Sequence, residues 1–322
     1  MTYRTLVVIG GSGFVGSHLV ALLAAQEQRD IIVPTRRYER ARHLLPLPHV
    51  VIAETDVNDE RALAQLLPGA DAVINLVGIL HSKPGPVGSG YGPGFARAHV
   101  ELPQRIVAAC AAHGVGRYLH MSALGAAADG PSMYQRSKAE GEQAVRSNPA
   151  VAATIFRPSV IFGPDDHFLN RFAALQRLFP LMPLAGADAR FQPIYVDDVA
   201  CAFIAALECD QTIGETYELA GPTVYTLREL VRLAGIWSGH PRPVIGLPPA
   251  LARLQAWVLE HLPGEPLMSR DNLDSMKSDN VAAAPIAPIL GIEPVAMEAV
   301  APYYLAGKTP RSGVHELPRH QA

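Results

Sequence analysis

The stretch Val7-Val8-Ile9-Gly10-Gly11-Ser12-Gly13-Phe14-Val15-Gly16-Ser17-His18-Leu19-Val20 decides how the rest of this chain is read. An apolar, β-branched run stops at a glycine cluster, and a helical pattern follows at once. That order predicts a strand, a tight turn and a helix whose free amides face a phosphate. Gly10 suits the turn. Gly13, flanked by Ser12, Phe14 and Val15, lets the backbone approach a pyrophosphate, and Gly16 lets the helix pack on the strand. The spacing is Gly-x-x-Gly-x-x-Gly, not the Gly-x-Gly-x-x-Gly of the standard dinucleotide fingerprint. Taken alone, such a turn is also an ordinary strand–helix connection.

The chain has 322 residues, enough to bury a large core in one domain or two coupled ones. A hydrophobic fraction of 49% argues against wholesale disorder. A formal charge of -3 provides no basic footprint for nucleic acid. Cys110, Cys201 and Cys209 show neither Cys-x-x-Cys spacing nor a histidine cluster, so reduced, buried thiols and no metal site are expected. The first strand begins within a few residues of Met1, which leaves no room for a signal peptide. No apolar run reaches the ~18–20 residues of a membrane span. A cytoplasmic protein, at most peripheral to a membrane, is the expectation.

Working outward, alternating strand and helix patterns follow one another. Strands are expected at Thr5 to Ile9, Asp30 to Thr35, Val50 to Glu54, Ala72 to Val77 and Arg117 to Ser122. This alternation predicts an α/β fold, a doubly wound parallel sheet of the Rossmann type, with ligands at the carboxyl ends of its strands. Gly10, Arg36, Asp56, Gly78 and Ser122 all fall at such ends. Asp30 opens the second strand and so lies at the wrong end for an adenosine ribose. Arg36 and Arg37 sit where a 2′-phosphate would lie, which favours NADP(H) over NAD(H). Asp56 and Val57 are placed to flank the adenine, although Asp56 equally suits a cap for the following helix. Leu76, Val77 and Gly78 let backbone pass close to the cofactor. The glycine- and proline-rich passage from His81 to Phe95 reads as a lid or as a disordered insertion.

Tyr134 and Lys138, four apart, share one face of the helix that opens at Met133. A phenol is a poor base at neutral pH, and an adjacent ammonium favours the phenolate. Ser122 at a strand end is a candidate donor to a substrate carbonyl or alcohol.

Gly10-x-x-Gly13-x-x-Gly16, Ser122 and Tyr134-x-x-x-Lys138 resemble the short-chain dehydrogenase/reductase superfamily in its extended and atypical branches. The resemblance covers roughly residues 1–305. Within it the chain is most similar to relatives of the nucleotide-binding accessory subunit of respiratory complex I. That narrower likeness rests on Asn75 to Leu80, Met121 to Ala126, Phe156 to Gly163 and Gln192 to Ala200. The superfamily implies that Tyr134 is the acid/base, Lys138 holds the nicotinamide ribose and Ser122 orients the substrate. It also implies that Pro158 and Val160 lie beside the nicotinamide. The complex I likeness implies tight NADPH binding without turnover and a respiratory-chain or quinone-pathway association. Many superfamily members carry an asparagine on the fourth helix, where this chain has Ala98-His99-Val100-Glu101.

The expected organisation is a dinucleotide-binding core over residues 1–160 with a later strand near 215–221. A smaller substrate-side region spans 161–307, and a disordered tail spans 308–322. In the second half, Asp197 and Asp198 read as helix-cap residues, and Thr226 with Glu229 as a capping box. Leu251, Leu254, Trp257, Val258 and Leu262 form a stripe expected to pack on the core. Two function classes follow: an NADP-dependent oxidoreductase acting on a carbonyl, alcohol or quinone-related substrate, or a non-catalytic NADPH-binding structural protein. Sugar-nucleotide epimerase or dehydratase chemistry is a weaker third.

Overall fold

Seven parallel strands build the central sheet, and its inner ones are apolar runs covered on both faces. The computed structural model describes residues 3–26, 28–86, 90–264 and 266–306. Its main strands are β1 (Thr5–Ile9), β2 (Asp30–Thr35), β3 (Val50–Glu54), β4 (Ala72–Asn75), β5 (Arg117–Met121), β6 (Ala152–Pro158) and β7 (Thr216–Leu219). They pair in the order β7-β6-β5-β4-β1-β2-β3, and every neighbouring pair is parallel. The doubly wound expectation holds. The order reverses between β1 and β4, so the crevice for a ligand opens where Ile9 and Asn75 stand side by side.

Side-chain alternation along β1 divides the core. Leu6 and Val8 face α1 (Phe14–Ala24) and α6 (Val196–Glu208), packing with Leu19, Leu23, Val199 and Phe203. Val7 and Ile9 face the other layer, with Ile106 and Cys110 of α3 (Leu102–His113) and Val145 of α4 (Met133–Val145). Between β3 and β4 lies α2 (Glu60–Leu66), capped by Asp59, whose carboxylate accepts from the amides of Arg61 and Ala62. Asp56 is therefore not the cap of this helix.

Residues beyond β6 add α5 (Leu169–Leu178), α6, α7 (Leu227–Trp237), α8 (Pro249–Glu260), α9 (Arg270–Ser275) and α10 (Met297–Leu305). Phe162, Leu169, Leu230 and Ala301 form a separate apolar cluster there. The capping box of Thr226 and Glu229 starts α7 as expected. Asp197 and Asp198 fall inside the first turn of α6 and do not cap it. Asp197 accepts from His18 Nδ1 at 2.6 Å, and Asp198 accepts from the amide of Val295.

The apolar stripe of α8 is the main correction. Leu251, Leu254, Trp257 and Val258 are 45–55% exposed, and the helix instead buries Ala252 and Ala256. Two small residues let the helix approach closely, and Gln255 fixes it by bonding Pro183 O and Ala185 N. The large side chains are thereby turned to solvent. Likewise, Cys110 is buried but Cys201 is exposed. No helix among the described residues is long and apolar enough to cross a membrane. The expected tail at 308–322 lies outside the described residues.

Candidate active site

The glycine turn follows β1 directly. Gly10 has φ of +85°, a conformation that L side chains rarely adopt. A Cβ on Gly16 would lie 2.2 Å from Gly10 O, so only glycine lets α1 start this close to the turn. Gly13 occupies the N-cap of α1 with no side-chain cap, and the first turn carries no acid. Its amides are thus left for an anion. Phe14 stacks edge-on with His18, and Val15 packs on the β1–α1 core, so both serve the turn from behind.

A cavity of about 370 Å³ extends from this turn along the ends of β2 and β3. Ser12, Arg36, Arg37, Val57 and Val77 line it. Arg40, Thr35 and Thr55 line it too, and sequence reasoning missed them. Arg40 was detectable, because it follows Arg37 by three residues in a short 3-10 turn (Tyr38–Leu44). Asp56 turns instead toward Asn58 and lies 3.9 Å from Arg97. Partial burial works to raise its carboxyl, but the bonds from Asn58 and the charges of Arg36 and Arg97 outweigh it and hold it low.

At the switch point, the backbones of Leu76 and Val77 lie beside Gly10, where an added Cβ would be 3.2–3.3 Å away. Gly78 leaves room for Lys138, whose Nζ would be 3.3 Å from an added Cβ. Lys138 is buried and donates to Met121 O at 3.1 Å. Its ammonium lies 6.0 Å from the Tyr134 ring centroid. Burial lowers Lys138 to about 8, partly opposed by Glu142. Burial also raises the Tyr134 phenol, so it carries its proton at neutral pH.

The Tyr134 ring is held by edge contacts to Phe95 and His99, with centroids 5.9 and 5.5 Å away. His99 sits in a π-helical segment (Ala96–Glu101), where Nε2 accepts from the Ile79 amide at 3.1 Å. Its Nδ1 therefore carries the proton and donates to Ser137 Oγ, which donates to Tyr134 O. Burial, reinforced by Lys138, holds His99 neutral. His99 thus fixes both the loop after β4 and the tyrosine helix.

Ser122 is engaged within the protein. Its hydroxyl donates to Glu142 Oε1 at 2.6 Å, and the residue is 2% exposed. Glu142 in turn accepts two bonds from Arg157, at 2.7 and 2.6 Å. A buried carboxylate demands such donors, and Ser122 is one of them. Leu124, two residues on, lines the cavity beside Tyr134 instead.

Pro158 ends β6 against Leu219 of β7. Val160 N–H bonds Asn280 Oδ1 at 3.1 Å, and Ser159 Oγ donates to the same oxygen. Asn280 and Asp271 join the candidate site with no sign in the local sequence. Asp271 accepts from the amides of Met133 and Tyr134, at 2.7 and 3.1 Å. Ser132 takes the amide of Gln135, so the first turn of α4 is fully satisfied. Asp271→Ala is expected to destabilise the protein by about 1–2 kcal/mol, as cap removal does, measured by urea denaturation. No change in the urea midpoint would show that solvent replaces this cap.

The passage between β4 and α3 is pinned in its described part. Arg136 donates to the carbonyls of Gly90 and Gly130, and Gly94 N–H bonds Ser82 Oγ. Leu80 and His81 form part of the wall beside Tyr134. Among the described residues, no group of three or more His, Cys, Asp or Glu is placed to hold a metal ion.

Residues 6–220 match the NAD dependent epimerase/dehydratase family. The chain is 31% identical over 291 residues to the Arabidopsis thaliana protein named NADH dehydrogenase [ubiquinone] 1 alpha subcomplex subunit 9, mitochondrial, with 86% of this chain and 70% of that protein covered. It is 28% identical to a ceramide reductase of Caulobacter vibrioides over 78% of each chain. Among solved structures it resembles UDP-glucuronic acid 4-epimerase from Bacillus cereus in complex with UDP-glucuronic acid and NAD. That match has a TM-score of 0.66 and 19% identity, over 94% of this chain and 99% of the other.

Proposed function

Because this chain belongs to the NAD dependent epimerase/dehydratase family, we propose that it is a nicotinamide-dependent reductase that prefers NADP(H) and acts on a carbonyl. The observation that carries the reading is the pairing of a protonated Tyr134 with Lys138 at the wall of a substrate-sized cavity. The residues fit the cofactor: an uncapped α1 for the pyrophosphate, Arg36, Arg37 and Arg40 for a 2′-phosphate, and Lys138 beside Gly78 for the ribose. A reduced nicotinamide nucleotide supplies the hydride when bound. Tyr134 gives its proton to the carbonyl oxygen, and the Lys138 ammonium stabilises the phenolate left behind. Met121 O holds that ammonium in place. The reductase relative points to the same reaction class.

The preference for NADP(H) rests on three guanidinium groups around one cavity. Arg36→Ala is expected to weaken NADPH binding by roughly 10–100-fold, the loss of a charge-assisted hydrogen bond. NADH affinity should move much less. Calorimetry with both nucleotides checks this, and equal wild-type affinities would overturn the preference.

A second reading has its own support. Ser122 is engaged by Glu142, and the likeness to a protein named as an NADH dehydrogenase subunit supports a chain that serves a respiratory assembly; in this reading the nucleotide is held and no substrate is turned over. Absence of turnover alongside retained NADPH would favour it.

A further inference from the structure

We propose that the cavity beside Tyr134 takes a carbonyl compound with a long apolar tail rather than a sugar nucleotide. This inference rests on the reductase reading above. The cavity measures about 240 Å³, and Phe168, Phe172, Leu175, Phe191, Leu267 and Met268 form much of its wall. The aromatic part is interlocked: Phe168 meets Phe172 edge-on with centroids 5.4 Å apart, and Phe191 at 6.0 Å. A wall of this kind gains by excluding water from hydrocarbon and gains nothing from a sugar hydroxyl.

Three amide side chains of the wall are engaged within the protein. Asn280 Oδ1 accepts from Ser159 and Val160, Asn272 Oδ1 accepts from Ser269, and Gln135 Oε1 accepts from Ser132. Tyr134 lies in the same wall. A nucleoside diphosphate needs several cations to offset its desolvation. Arg171 is the one Lys or Arg among the cavity's described lining residues, and Asp279 adds an opposing negative charge. Leu267 is 46% exposed in the segment that leaves α8, and an exposed leucine lining a cavity suits an apolar tail rather than a charged leaving group. The tail then extends from a carbonyl at Tyr134 along the phenylalanines.

The test uses the full chain loaded with reduced nucleotide and a series of methyl ketones, butanone, octanone and dodecanone, with UDP-glucose as the competing class. Reduction is followed by cofactor absorbance and binding by calorimetry. Affinity and kcat/KM should rise about fourfold per methylene until the cavity is filled, which makes octanone better than butanone on the order of a hundredfold. Leu267→Asp should flatten that rise without altering cofactor affinity. Turnover that is indifferent to chain length, or tighter binding of UDP-glucose than of dodecanone, would overturn the substrate class while leaving the reductase reading intact. Length-dependent binding without turnover would uphold the substrate class and remove the reductase reading. Neither binding nor turnover across the series would overturn both.

Discussion

Tyr134→Phe should lower carbonyl reduction by roughly 100- to 10,000-fold, the contribution of a positioned general acid, with cofactor affinity essentially unchanged. In the proposed reaction this phenol protonates the substrate oxygen, and its removal leaves the glycine turn and the arginine cavity untouched. Steady-state kinetics with calorimetry on the same preparations separates the two effects. Retained turnover in the phenylalanine variant would exclude Tyr134 as the acid. The pH dependence carries a second signature. The Lys138 ammonium stabilises the phenolate only while protonated, and burial lowers this group to about 8 in the free protein. Since kcat/KM reports ionisations of the free enzyme, activity should be full below that value and fall as pH rises through it. A profile that stays flat through that range would argue against a role for the ammonium.

The second large effect concerns stability. Glu142→Leu should cost about 3 kcal/mol, the low end for breaking a buried ion pair. Glu142 is almost wholly enclosed, whereas the Arg157 side chain keeps 27% exposure and can recover some hydration. The substitution also strands the Ser122 hydroxyl, which is buried against that carboxylate. Urea denaturation monitored by far-UV circular dichroism measures the loss. A change below about 1 kcal/mol, the size of a surface pair, would mean that the Ser122–Glu142–Arg157 cluster is not a structural keystone.

What the sequence disclosed and what it hid divide by distance along the chain. The glycine turn, the strand ends and the Tyr134–Lys138 spacing are local patterns, because strand and helix periods place neighbours within a few residues. Arg40 was equally local, and was passed over because it lies just beyond the obvious pair at Arg36 and Arg37. The fate of Ser122 was hidden because its partner Glu142 lies on a different element. The α8 stripe shows a different failure. Periodicity reveals that an apolar face exists but not which face the rest of the chain covers, and here two alanines won the contact. Asp271 and Asn280 reach the site from well over a hundred residues away, with no pattern to announce them.

Asp271 also bears on how such a protein can be remodelled. Its carboxylate holds the amides of Met133 and Tyr134, so the acid that would act on a substrate is steadied by the very segment that shapes the substrate's cavity. A chimera that grafts a foreign C-terminal region onto this nucleotide-binding half would keep Tyr134 in its sequence and lose its anchor. Swapping specificity in this chain therefore means transplanting a carboxylate to the same point, or rebuilding the start of the tyrosine helix to stand without one.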